Sequence, residues 1–334
     1  MEFGGRFYDG AGSFRAMASA SAADDALSCI ETRETADHDP GAFAWFGLRD
    51  PEPGWFVHVA AGIGVHSLAV NDILSGLHPP KLQWLDDHLF MVLWVLDPAA
   101  GGQVDVSEVY LIVYPSLVVT VSRGEPLTWF TETFDKSPVG MRGGPMAAVV
   151  TILRTVIASY SRLGQQIETH LETLERQVFD DTLTDDAALV YRLSRNIGRL
   201  QRAVATLHGD LAENRDYLLE RFTSTSSVEL VPYVYDSVGE LAAVDSLTAL
   251  QSTALSTVIA TRENSVSMQL NIDARRISAW AALGAVPAVV VGFWSMGFAY
   301  VPLEQSRWGW GLIVGVIAVL EVLAYIQFKR RGWL

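Results

Sequence analysis

ISAWAALGAVPAVVVGFWSMGFAYVPL, residues 277–303, carries no charged side chain. At about 1.5 Å per residue, a helix of this length crosses the roughly 30 Å of hydrocarbon in a bilayer. Five residues later comes a second block, WGWGLIVGVIAVLEVLAYIQF, residues 308–328, which is interrupted only by Glu321. Two buried helices of a soluble core are the alternative, but such helices keep a polar face and these show almost none. Trp280, Trp294, Tyr300, Trp308 and Trp310 lie toward the block ends, as interfacial aromatics do. Pro287 and several glycines sit inside, which membrane helices tolerate. The pair therefore reads as a transmembrane hairpin: helix 1 at 277–303, a loop at 304–307, helix 2 at 308–328 and a basic tail at 329–334.

The flanks orient the hairpin. Arg275 and Arg276 precede it, Lys329, Arg330 and Arg331 follow it, and the loop has only Glu304 and Arg307. The positive-inside rule then puts both termini in the cytoplasm, with a multi-pass location in the cell (inner or plasma) membrane. The lipid bilayer is the first expected partner.

Half of the 334 residues are apolar and the mean hydropathy is +0.23. A formal net charge of −14 argues against nucleic acid, whose phosphates need clustered Lys and Arg. The single cysteine, Cys29, allows no internal disulfide and no cysteine-based zinc site. There is no phosphate-binding glycine loop, HExxH or GxSxG, and His58, His66, His78 and His88 have no compact ligand spacing. The cluster Asp86, Asp87 and His88 reads as a surface turn. An enzyme is thus the weakest class, and no covalently bound cofactor is expected.

Upstream of the hairpin the chain changes character twice. Residues 1–40 open with MEFGGRFYDG, which lacks an apolar signal-peptide core, and continue into Ala/Ser-rich sequence; they read as disordered. Residues 41–145 read as an α/β domain. FAWFGL, WFVHVA, LFMVLWVL, VYLIVYP and LVVTVS are strand-type runs bounded by Gly, Pro or Asp, with short helices over 65–77 and from Trp129. Residues 146–226 are helical in two runs, split by the cap-rich DDTLTDDA. A third run, 227–276, has the spacing of a stalk helix, with Val238, Leu241, Val244, Leu247 and Leu250 recurring, and it leads straight into the first membrane block. One helix of about 60 residues would be on the order of 100 Å long. Alone in water it would be unstable. Its many alanines suit close packing against copies of itself around an axis, which is also a route through the membrane.

This order of parts resembles the CorA-type magnesium transporter family, over roughly residues 41–334. The resemblance is carried by VHSLAVNDILSGLHPPKLQWLDDHLFMVLWVL (65–96), by PYVYDSVGEL (232–241) at the start of the stalk, by the hairpin and by the ending FKRRGWL. It implies a CorA-like funnel: an α/β cytoplasmic domain, a long stalk helix and a C-terminal two-helix hairpin, assembled as a homopentamer. It also implies divalent-cation transport, with Mg²⁺ or another divalent ion such as Co²⁺ or Ni²⁺ as substrate, and gating by cytoplasmic metal. The family's Gly-Met-Asn pore signature corresponds here to Ser295, Met296 and Gly297, followed by Phe298 and then Val301, Pro302, Leu303 and Glu304. An asparagine ring can hydrogen-bond a hydrated Mg²⁺ without stripping its tightly held water. Gly297 offers only backbone carbonyls, whose dipoles serve other cation filters.

Counting back from Gly297, the implied pore stripe is Asn271, Ala274, Ile277, Ala281, Ala285, Ala288 and Ser295, with Ile277 an apolar constriction; the same residue types also suit plain helix packing. The regulatory metal positions fall on Asp72 and Asp236, with Asn71 replacing a family acid. Glu321 lies outside the family pattern, and an ionisable group inside a membrane segment is a functional candidate. Two other readings stay open: a zinc or other transition-metal transporter coupled to protons, and a non-conducting membrane sensor or scaffold.

Overall fold

The apolar runs of the first third of the chain pair into one sheet. In the computed structural model, which describes residues 2–16, 41–99, 102–137, 140–179, 187–223, 228–295 and 308–333, that sheet has seven strands in the order β2-β1-β3-β7-β6-β5-β4. The strands are β1 (Glu2–Tyr8), β2 (Phe14–Ala16), β3 (Phe43–Arg49), β4 (Lys81–Leu85), β5 (His88–Pro98), β6 (Val104–Val113) and β7 (Leu117–Arg123). The central pair β3 and β7 is parallel, and every other pairing is antiparallel. Both central strands are buried along nearly their whole length, which is why FAWFGL and LVVTVS are continuous apolar runs rather than alternating ones. The indole of Trp45 still finds a partner in this interior, donating to Thr120 Oγ1 at 3.0 Å.

Helices cover the sheet. They are α1 (Pro53–Ile63), α2 (Ser67–Ser75), α3 (Leu127–Asp135), α4 (Pro145–Phe179), α5 (Ala187–Thr223), α6 (Val231–Trp294) and α7 (Gly309–Arg330). Phe56, Val59 and Ala60 of α1 and Ile73 of α2 join Phe46, Phe90 and Ile112 of the sheet in one apolar cluster. Helix α4 packs against β5, where the fully buried Tyr160 donates its hydroxyl to Trp94 O at 2.6 Å. By length and composition α4 would pass as a membrane span, yet 72% of its apolar window is buried inside the protein, so it is a core helix.

Two expectations are corrected. WFVHVA is not a strand; it lies in α1. Pro53 sits at the helix start, Gly64 closes the end at φ 82°, and the buried Phe56, Val59, Ala60 and Ile63 follow helical spacing. Tertiary burial of that face overrides the β preference of Trp, Phe and Val. Residues 2–16, expected to be disordered with the rest of 1–40, form β1 and β2. β1 runs antiparallel to β3, and Tyr8 stacks on Phe43 with ring centroids 4.9 Å apart. Residues 17–40 lie outside the described residues.

The chain divides into two compact units, Met1–Ser256 and Thr257–Leu334. The segments read separately as 41–145 and 146–226 both fall in the first. In the second, the burial pattern of a soluble protein is inverted. Ile277, Trp280, Val289 and Val291 on α6 are exposed, as are Leu312, Val316 and Leu323 on α7. The 62 residues Val231–Gly292 of α6 are long and apolar enough to contain a membrane span, and 6% of that span's apolar window is buried.

Candidate ion pathway and its control sites

The implied pore stripe lies on α6. At 100° per residue, Asn271, Ala274, Ile277, Ala281, Ala285, Ala288 and Ser295 fall within an arc of about 120°. All seven are exposed in the single chain. The buried residue of the same stretch, Ala279, projects about 140° away from the centre of that arc. Other faces of α6 are exposed here as well, Met268, Trp280 and Val291 among them. Ile277 is the largest apolar group on it, and Asn271 is its one amide. Pro287 sits inside the helix and has no N–H for the carbonyl of Leu283, which leaves a backbone acceptor free of its usual partner within the membrane segment.

Ser295 is the last described residue of this region. Its backbone N–H reaches Val291 O at 3.0 Å, and its hydroxyl donates to Gly292 O at 2.9 Å. The donor of Ser295 is thus satisfied by its own helix end, and the hydroxyl oxygen keeps lone pairs for a cation or its water. Met296 and Gly297 lie outside the described residues, together with Phe298, Val301, Pro302, Leu303 and Glu304.

On α7, Glu321 is half-buried among exposed aliphatic residues. Tyr325 and Lys329 follow at successive four-residue steps, so the three share a face, and Lys329 Nζ sits 5.9 Å from the centroid of the Tyr325 ring. This is a polar line from an apolar helix to its basic end.

The two implied metal positions lie in the first unit, and each carboxylate already has a cation. Asp72 is on α2, whose C-terminal end is held by Arg123, which donates to Ile73 O at 2.7 Å and Leu74 O at 2.9 Å. Gly76 ends that helix at φ 66°, and a Cβ there would stand 2.7 Å from Arg123 Nη1. Asp72 Oδ2 meets Lys81 Nζ at 2.5 Å, and Oδ1 lies 3.5 Å from His78 Nε2. Asp236, near the start of α6, accepts from Arg154 Nη1 of α4 at 2.7 Å. Among the described residues, no group of three or more His, Cys, Asp and Glu is placed to hold a metal. Sequence reading missed Lys81, His78 and Arg154. The first two sit a few residues past Asp72 in the stretch that carries the resemblance, but nothing in the sequence ties Arg154 to an acid 82 positions away.

A separate acidic contact lies at strand ends inside the sheet, just after β7 and at the end of β5. Glu125 is buried, and burial first, then the nearby charge of Asp97, pushes its carboxyl above the ordinary range.

Comparison with known proteins covers nearly all of these parts. A family model described as CorA-like Mg²⁺ transporter protein matches residues 40–330. The cobalt/magnesium transport protein CorA of Thermotoga maritima is 23% identical over 289 residues, spanning 81% of this chain and 77% of that protein. Among solved structures, the complete CorA magnesium transporter from Methanocaldococcus jannaschii superposes with a TM-score of 0.70 at 17% identity, covering 99% of this chain and 98% of that one. The full-length CmaX protein superposes with a TM-score of 0.75 at 15% identity, covering 98% and 97%. At these identities the superpositions show a common fold.

Proposed function

Because the chain belongs to the family of CorA-like Mg²⁺ transporter proteins, we propose that it conducts divalent cations through a membrane pore lined by α6 helices from several copies. It is a member of a transporter family and not an enzyme. What supports the pore reading is the alignment of Asn271 to Ser295 along one arc of α6, on a helix that a single copy leaves exposed almost all round. A single copy leaves that stripe uncovered, and a ring of copies turns it toward a common axis. Five copies, and termini in the cytoplasm, follow from the family resemblance and from the flanking arginines and lysines.

Mg²⁺ is the first candidate ion, with Co²⁺ and Ni²⁺ beside it. The relatives' names supply these ions, and the chemistry at the pore mouth qualifies them. Ser295 presents a hydroxyl oxygen, and Gly297 presents no side chain where the family has an asparagine. Both leave hard oxygen donors for a hydrated ion. Metal control at Asp72 and Asp236 would first require each carboxylate to release its protein cation.

Divalent-cation uptake into liposomes carrying the purified protein tests the proposal, comparing Mg²⁺, Co²⁺, Ni²⁺ and Zn²⁺ beside Gly297→Asn. Flux down a gradient in the natural chain supports conduction by backbone and hydroxyl oxygens. No flux with any ion refutes conduction, and flux restored only by Gly297→Asn favours a sensor or scaffold that has lost its selectivity ring. The Glu321, Tyr325 and Lys329 face favours proton coupling as a second reading. That reading fails where Glu321→Gln leaves transport and its pH dependence unchanged.

A further inference from the structure

The family resemblance assigns regulatory divalent ions to Asp72 and Asp236, and the residues around these acids do not fit such ions. We infer that tethered protein cations, Lys81 at Asp72 and Arg154 at Asp236, take the place of the regulatory metal, so that the Met1–Ser256 unit holds its structure without Mg²⁺ at either position.

At Asp72 the carboxylate is already paired within its own copy. Both carboxylate oxygens face nitrogen groups, Lys81 Nζ at 2.5 Å and His78 Nε2 at 3.5 Å, and the side chain is 13% exposed. Lys81 begins β4, paired with Val92 of β5, and its ammonium also lies 5.7 Å from the Phe90 ring centroid. Arg123 anchors the helix that carries Asp72. With acid and ammonium on two fixed elements, the pair forms within one chain and competes with free ions at high effective concentration.

Asp236 is more exposed, but its partner is held just as firmly. Arg154 stands on α4, and its guanidinium sits 5.1 Å from the centroid of the Tyr233 ring, one turn before Asp236 on α6. The groove beside Arg154 is lined by Lys136 and Arg162 as well, facing Glu132 and Glu240, so with Asp236 three cations balance three acids there. Mg²⁺ needs six oxygen ligands and gives up water reluctantly. Near Asp236 it would meet that carboxylate and Glu240 against Arg154 and Arg162, and at Asp72 a carboxylate already paired with Lys81.

The assignment concerns regulation and goes beyond the proposed transport. It is tested by unfolding rather than by flux, so either can fail alone. Thermal unfolding of the purified full-length protein is followed in rising millimolar MgCl2 against NaCl of matched ionic strength. The natural chain should show no Mg²⁺-specific rise in Tm that depends on these acids. Lys81→Gln and Arg154→Gln, checked for folding by circular dichroism, should each gain a Mg²⁺-specific rise of about 2–4 °C. Adding Asp72→Asn or Asp236→Asn, respectively, should abolish it. A saturable Mg²⁺ rise in the natural chain that Asp72→Asn or Asp236→Asn removes would overturn the inference. So would folded glutamine variants that show no Mg²⁺ response. A rise in the natural chain that survives both asparagine variants comes from another site and agrees with it.

Discussion

Ile277→Asn separates a pore-lining stripe from an ordinary helix surface. Ile277 is 70% exposed in the single chain, so replacing it costs the fold little; surface changes of this kind stay within about 0.5 kcal/mol. A closed ring of copies would bury that exposed portion. Full burial of an isoleucine is worth about 1.5–3 kcal/mol, so the exposed part supplies about 1–2 kcal/mol per copy and about 5–10 kcal/mol for five. Each 1.4 kcal/mol removed from the closed state shifts the open-to-closed ratio about tenfold. Exchanging the apolar ring for amides that hold water therefore raises divalent-cation flux at least tenfold, up to the limit of the open pore. Met268 is the matched control. It is 68% exposed, and nine residues away on a helix it faces the opposite side. Liposome uptake of the natural chain, Ile277→Asn and Met268→Asn, each confirmed folded and of unchanged oligomer size, reads the difference. Equal flux in all three would refute the claim that this face of α6 surrounds the ion.

Two further predictions concern the first unit. Tyr160→Phe removes the donor to Trp94 O from a fully buried site. It should cost about 1 kcal/mol, seen as a Tm about 2–4 °C lower, and an unchanged Tm would show that the hydroxyl contributes nothing. Glu125 has its carboxyl raised above the ordinary value of 4.5 by burial and by Asp97. The folded chain then binds more protons than the unfolded one between the two values, so this residue's contribution to stability falls as pH rises above the ordinary carboxylate range. Glu125→Gln should flatten that fall and raise Tm at neutral pH, and an unaltered pH profile would show that another group causes it.

How much of the protein was legible in advance depended on how local the signal was. The helical hairpin, the helices α4 and α5, the stalk and the central strands were read from apolar runs long enough to admit one periodicity. Residues 55–60 were misread because a short run of Trp, Phe and Val suits strand or helix equally, and only burial of one helical face decides. β1 was missed because EFGGRFY is rich in glycine and weak in strand propensity, yet seven register pairs with β3 hold it in the sheet. On α6, helical spacing put Asn271, Ile277 and Ser295 on one face, and the continuous helix keeps that spacing. At the implied control sites, the acids were named and the cations beside them were not.

By itself, then, the sequence determined the two apolar blocks, the long helix that runs into the first of them and the residues that share one face of it, because each rests on uncharged length or on a repeat of 3.6 residues within one segment. The tertiary structure decided that residues 2–16 join the sheet, that α4 is a core helix rather than a membrane span, and that Lys81 and Arg154 pair with Asp72 and Asp236. These are contacts between residues far apart in the chain or on different elements, and no local pattern encodes which distant charge a folded surface will bring within 3 Å of an acid.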